Sequence, residues 1–203
     1  MALSSNKRAK QIERKKKKRK EVLKGKIQEN NMYLTISDPS LIPVDSCYIT
    51  ENWQESGMSA VYITRKRTEA LFIVTHIILD TFCLGVKKCQ NYKLNLMQKN
   101  EFIEQAAPLA LVEPEYIKML VNEAIRFASQ FKFSPPSSYT SIKKYVDNLP
   151  DTKDTYNFQF GDKEGNPLYI QGPYDDDEFT FEVIEKLEHS KAQYNTVTLM
   201  REF

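Results

Sequence analysis

The chain has 203 residues and a mass of 23.7 kDa, room for one domain of about 100–200 residues with an appendage and too little for two large domains. Apolar residues at 41% and aromatics at 11% can build a core, which excludes a wholly disordered chain. The formal charge of +2 hides a division: residues 1–26 carry twelve Lys and Arg against Glu13 and Glu21, a net +10, so that of 29 basic and 27 acidic residues the remaining 17 and 25 leave the rest at −8.

Residues 5–28 are rich in helix formers and contain no Pro, but their lysines repel one another. They are predicted to exchange between helix and coil and to order when anions neutralise them, with Gly25 and Asn30–Asn31 ending the helix. A basic arm thus spans residues 1–30 and a globular domain 31–203. "MYLTISDPSLIP", from Met32 to Pro43, reads as a short strand and a Pro-punctuated connection.

Residues 44–97 read as β structure, with "DSCYIT", "SAVYITRKR" and "TEALFIVTHIILDTF" rich in β-branched and aromatic residues. Residues 59–66 and 70–83 are predicted to form a hairpin with its tip near Lys66 to Glu69. The second strand is apolar on both faces and so central; helix is its competitor. "CLGVKK" at 83–88 has one glycine where a phosphate loop needs several, and reads as the end of a buried strand turning into solvent.

From 98 to 147 the pattern becomes helical. In "EPEYIKMLVNEAIRFASQF", Pro114 suits a first turn, Glu113 and Glu115 suit the positive end of the dipole, and Ile117, Leu120, Val121, Ala124, Ala128 and Phe131 share a face. A shorter helix, "QKNEFIEQAAPLA", is broken by Pro108, and another lies near "SSYTSIKKYVDNL". After Pro150, "YNFQF" and "PLYIQ" are predicted to pair as a hairpin across "GDKEGN". "DDDEFTFEVIEKLEH" then forms a last helix with Phe179, Val183 and Leu187 every fourth residue, and a loose tail follows. These elements predict an α+β fold: a single mixed domain with a mainly antiparallel sheet and about four helices, preceded by a basic N-terminal helical or disordered arm.

The arm is the strongest functional signal. Lys7, Arg8, Lys10, Arg14, Lys15, Lys16, Lys17, Lys18, Arg19, Lys20, Lys24 and Lys26 can neutralise phosphates and release counterions without a pocket. The cluster has no aromatic residue for base stacking and nothing suited to base edges, so it holds a backbone and reads no sequence. Arg65, Lys66, Arg67, Lys87 and Lys88 are candidates to assist it. Such an arm suits RNA, ribosomal RNA included, because it can thread between phosphate-lined helices, while the acidic body meets a protein neighbour. Nuclear localisation, anionic lipid, an acidic protein partner and a solvated tail that merely keeps the protein soluble are its competitors, lipid being weakest because Leu3, Ile12, Val22, Leu23 and Ile27 make only a thin apolar stripe.

His76, Asp80 and Cys83 are the one close grouping of imidazole, carboxylate and thiol. On a strand, His76 and Asp80 share a face but lie ~13 Å apart, too far to orient one another; on a helix they would lie within ~6 Å. "YDDDE" at 174–178 lacks the spacing of a calcium loop and reads as a helix start. Cys47, Cys83 and Cys89 are an odd set, with no apolar leader after the first basic residues, and fit buried thiols in a reducing cytoplasm. Trp53 reads as a half-buried anchor. The run from Ala70 to Val86 is interrupted by Thr75, His76, Asp80 and Thr81 and is too short for a membrane span. No motif calls for a cofactor. The expected function is therefore non-enzymatic, sequence-independent RNA binding, on the ribosome or another ribonucleoprotein. The alternatives are an enzyme near His76, Asp80 and Cys83 localised by the arm, and an adaptor joining an anionic scaffold to a basic protein.

Overall fold

The computed structural model describes residues 38–106 and 108–198. The basic arm over 1–30, with its predicted helix and all twelve of its cations, lies outside the described residues, as does the strand predicted after Met32. One compact unit, Ser40–Phe203, carries the sheets and their helices.

Five antiparallel strands make the main sheet: β1 (Val44–Thr50), β2 (Met58–Thr68), β3 (Leu71–Asp80), β4 (Gly85–Leu94) and β5 (Leu109–Val112), in the order β4-β3-β2-β1-β5. The predicted β2–β3 hairpin forms, with Lys66 opposite Phe72 and the turn at Glu69–Ala70. β3 lies inside the sheet and is buried on both faces, as its apolar composition requires. Its apolar run ends at Asp80 because Asp80 Oδ1 accepts the backbone N–H groups of Phe82 and Cys83, at 3.0 and 2.8 Å, folding 81–84 into a turn. "CLGVKK" is therefore no exit to solvent: Gly85 and Val86 are buried and open β4. Gly85 has φ +69°, and a Cβ there would press on Ala124 and Ala128.

One sheet face, carrying Cys47, Ile49, Val61, Ile63, Ile77 and Leu79, packs on helix α3 (Pro114–Ser129) and helix α4 (Tyr139–Asp147). The predicted stripe of α3 is buried as expected. Helix α2 (Leu96–Glu104), opened by a capping box between Asn95 and Gln98, covers part of the opposite face. α2 ends sooner than predicted, and Leu109–Val112 leave it to extend the sheet as β5, for Pro108 cannot continue a helix.

Residues 156–160 have the alternation of a strand but no ladder. Tyr156, Phe158 and Phe160 point one way, onto Tyr116 and Phe127 of α3, while Asn157 and Gln159 are exposed. Packing on a helix thus produces the same period of two as packing in a sheet. "GDKEGN" does turn, with Asp162 Oδ1 accepting from Glu164 N and Asn166 N, but "PLYIQ" pairs elsewhere. β6 (Leu168–Ile170) runs parallel to β7 (Asn195–Val197), with helix α5 (Asp177–Ser190) between them in sequence. The predicted loose tail therefore supplies a strand, fixed in part by Asn195 Nδ2 donating to Asp162 Oδ2 at 2.7 Å. Among the described residues the fold is an α+β domain with a five-stranded antiparallel sheet and four helices of nine residues or more, beside the one-turn helix α1 (Trp53–Ser56).

Candidate functional site

The sheet face opposite α3 and α4 is divided along its length. At its middle, His76 of β3 stacks on Tyr62 of β2, ring centroids 4.6 Å apart and planes within 1°, and Phe102 of α2 meets both rings edge-on. Burial, with Lys88 adding, lowers the His76 pKa, and its buried Nε2 has no hydrogen-bond partner. The imidazole is held neutral as part of an aromatic cluster.

Beyond that cluster the same face is left open by α2, and a cavity of about 640 Å³ lies there. Met58 of β2, Ile78 and Asp80 of β3, and Lys88 of β4 contribute from the sheet, while Leu168, Ile170 and the loop Gln171–Asp175 supply the facing wall. An ion pair ties the two sides: Lys87 Nζ donates to Asp175 Oδ2 at 2.7 Å. The same oxygen accepts from Gly172 N at 2.9 Å and from Tyr169 Oη at 3.1 Å. Desolvation would raise the Asp175 pKa, but the hydrogen bond from Lys87 and the donors beside it hold the carboxyl below its ordinary value.

Asp80 is in the reverse situation. It is 4% exposed, and burial pushes its carboxyl up to about 6 against the backbone donors of Cys83 and Phe82 and the more distant charge of Lys87. No ion pair reaches it among the described residues.

The structure does not gather His76, Asp80 and Cys83 into one site. The strand geometry keeps His76 and Asp80 ~13 Å apart. Cys83 is fully buried in a second apolar cluster with Ala128, Phe131 and Tyr169, where burial raises its thiol pKa and the Asp80 charge raises it further. The carboxylates of "YDDDE" also separate: Asp175 pairs with Lys87, Asp176 caps α5 by accepting from Phe179 N at 2.8 Å, and Asp177 and Glu178 lie in its first turn. Among the described residues, no three His, Cys, Asp or Glu side chains are placed to hold a metal ion. Trp53 is more buried than predicted, 5% exposed, and packs near Phe158.

Several of the body's cations are engaged by the body itself. Arg65 is interior, 2% exposed, donating to the carbonyls of Ile42 at 2.6 Å and Tyr145 at 2.9 Å, which removes it from the residues that can assist the arm. Lys87 is likewise tied down. Lys66, Lys99, Lys118, Arg126 and Lys143 pair with Glu69, Asp45, Asp151, Glu123 and Asp147. The cavity itself had no signature in the sequence, because its two sides come from β2–β4 and from residues 168–175. The nearest signal is Gly-Pro-Tyr at 172–174, which marks a turn only.

No helix among the described residues is long and apolar enough to cross a membrane. No family model, curated protein or solved structure matches the chain.

Proposed function

We propose that the protein binds RNA in the cytoplasm, without catalysis and without sequence preference, through the cations of residues 1–26, and that a ribosome or another ribonucleoprotein is its setting. The observation that carries this reading is the charge division, +10 in the first 26 residues and −8 in the remainder. The pairing of Lys66, Lys87, Lys99, Lys118, Arg126 and Lys143 with body carboxylates supports it, since it lowers the positive charge that the body can offer a polyanion. Such a cluster binds by releasing counterions from phosphates and needs no shaped pocket. The exposed side of α5 carries Asp177, Glu178, Glu182, Glu185 and Glu188, an acidic surface that a polyanion repels and that suits a protein neighbour instead.

The test is a salt titration of binding to a single-stranded homopolymer RNA, using the full chain and a full-length variant with Lys15, Lys16, Lys17, Lys18, Arg19 and Lys20 changed to Gln. On a single strand, six to ten phosphate contacts predict a fall in affinity of about 300-fold to 10⁴-fold between 50 and 200 mM salt. Removing six contacts flattens the log–log slope by about 4. A flat response in the parent, or equal slopes in the two proteins, refutes the proposal.

A further inference from the structure

Beyond RNA binding, the cavity against β3 is itself a site with a definable ligand. We propose that it binds a small organic cation, with an apolar body of about ring size lying between Ile78 and Ile170 and a primary ammonium group paired with the Asp80 carboxylate. The volume of about 640 Å³ falls within the range of pockets that enclose small ligands, about 300–1,000 Å³. Met58, Ile78, Phe82, Leu168 and Ile170 give it apolar walls, and Tyr174, 97% exposed, offers a ring face beside it.

The sign of the ligand's charge follows from what each wall already satisfies. Lys87 and Asp175 neutralise one another at 2.7 Å, and Lys88 is exposed, so that its charge is largely screened by water. Asp80 alone combines near-complete burial, a place in the cavity wall and no ion-pair partner among the described residues. Its Oδ1 is engaged by Phe82 N and Cys83 N, which fixes the carboxylate in place. With Lys87 and Asp175 paired, an anionic ligand would meet the Asp80 carboxylate against only the screened Lys88, and a neutral ligand would leave that buried charge with no more than its backbone donors and the more distant Lys87. A cation supplies the missing partner in a low-dielectric setting, where charge-assisted hydrogen bonds are strongest.

The test uses the full-length protein and three probes that share a phenyl ring and differ in their head group: 2-phenylethylamine, 2-phenylethanol and 3-phenylpropionate. Titration calorimetry at pH 7.5, with amide NMR shifts locating the probe, is expected to show the amine binding at least about tenfold more tightly than the alcohol, with the carboxylate weakest, one such factor being the contribution of a single charge-assisted bond. Asp80→Asn keeps the acceptor for Phe82 N and Cys83 N and removes the charge, so the amine falls to the affinity of the alcohol. Met58→Trp, which fills the cavity from β2, removes binding of both. The groups facing Asp80 are Lys87 and Lys88 of β4, Asp175 of the facing loop, Tyr169 of β6 and the Cys83 thiol, and burial among them pushes the Asp80 carboxyl up to about 6. Lowering the pH from 7.5 to 5 therefore narrows the preference for the amine. The proposal is overturned if none of the probes binds saturably, if the amine binds no better than the alcohol, or if its preference survives in Asp80→Asn; none of these results bears on RNA binding by the arm.

Discussion

Replacing Asp80 by Asn is expected to stabilise the folded protein at neutral pH. The carboxyl is pushed up to about 6 from an ordinary value of 3.8, chiefly by desolvation. A raised folded-state pKa means that the native chain holds the proton more tightly than the unfolded chain, so stability falls as pH rises between these two values. Above about pH 6 the full penalty of the buried charge is in force; below about pH 4 both states are protonated and it vanishes. At about 1.4 kcal/mol per pH unit, the interval between 3.8 and about 6 corresponds to a cost of about 3 kcal/mol at pH 7.5. Asn keeps the acceptor that Phe82 N and Cys83 N require and leaves its amide nitrogen to the cavity that Asp80 lines, so the turn survives while the charge is lost. Urea unfolding of the two full-length proteins at pH 4.5, 6 and 7.5 is the assay. The stability of Asp80→Asn is expected to exceed that of the parent at pH 7.5 by up to about 3 kcal/mol, and the two curves to converge toward pH 4.5. A variant less stable than the parent at pH 7.5, or a difference constant across the three pH values, refutes the reasoning and means that the Asp80 charge is compensated in solution.

Three further substitutions or reactions test other parts of the structure. Arg65→Ala removes a buried guanidinium that bridges the carbonyls of Ile42 and Tyr145; denaturant unfolding is expected to show a loss of about 3 kcal/mol, while the salt slope of RNA binding stays that of the parent, unlike a substitution in the arm. Gly57 has φ +70°, the Phe82 ring occupies the place of a Cβ, and its carbonyl accepts both Thr81 N and Thr81 Oγ1, so Gly57→Ala is expected to lose about 2–4 kcal/mol in the same measurement. All three thiols are buried, and burial pushes Cys47 up to about 12; in the native protein none is expected to react with Ellman's reagent at the rate seen after unfolding, and a single fast thiol would contradict the described packing.

Where a segment's neighbours lie close in sequence, its structure is legible there. The β2–β3 hairpin follows from β-branched runs joined by a short charged turn, and α3 from a stripe at helical spacing with Pro114 in its first turn. Burial of β3 on both faces follows from its apolar residues on both sides, and that strand geometry keeps His76 and Asp80 apart. Trp53 is an anchor, as its size and composition lead one to expect, though its burial beside Phe158 depends on a segment more than a hundred residues away.

Local pattern fails where distant segments choose the partner. Tyr156, Phe158 and Phe160 alternate whether they face a sheet or a helix, and only the position of α3 decides for the helix. β5 and β7 are short, and short strands carry too few residues for periodicity to distinguish them from a helix end or a tail; pairing with β1 and β6 defines them. The α+β class, the β2–β3 hairpin, the main helices and the charge division between residues 1–26 and the rest are set by the amino-acid sequence alone, since they rest on composition and nearest-neighbour spacing. Only the tertiary structure decided that Arg65 is interior, that Lys87 meets Asp175, and that Asp80 is a buried charge beside a cavity, because solvation and contact across 88 residues of chain exist only once the chain has closed on itself.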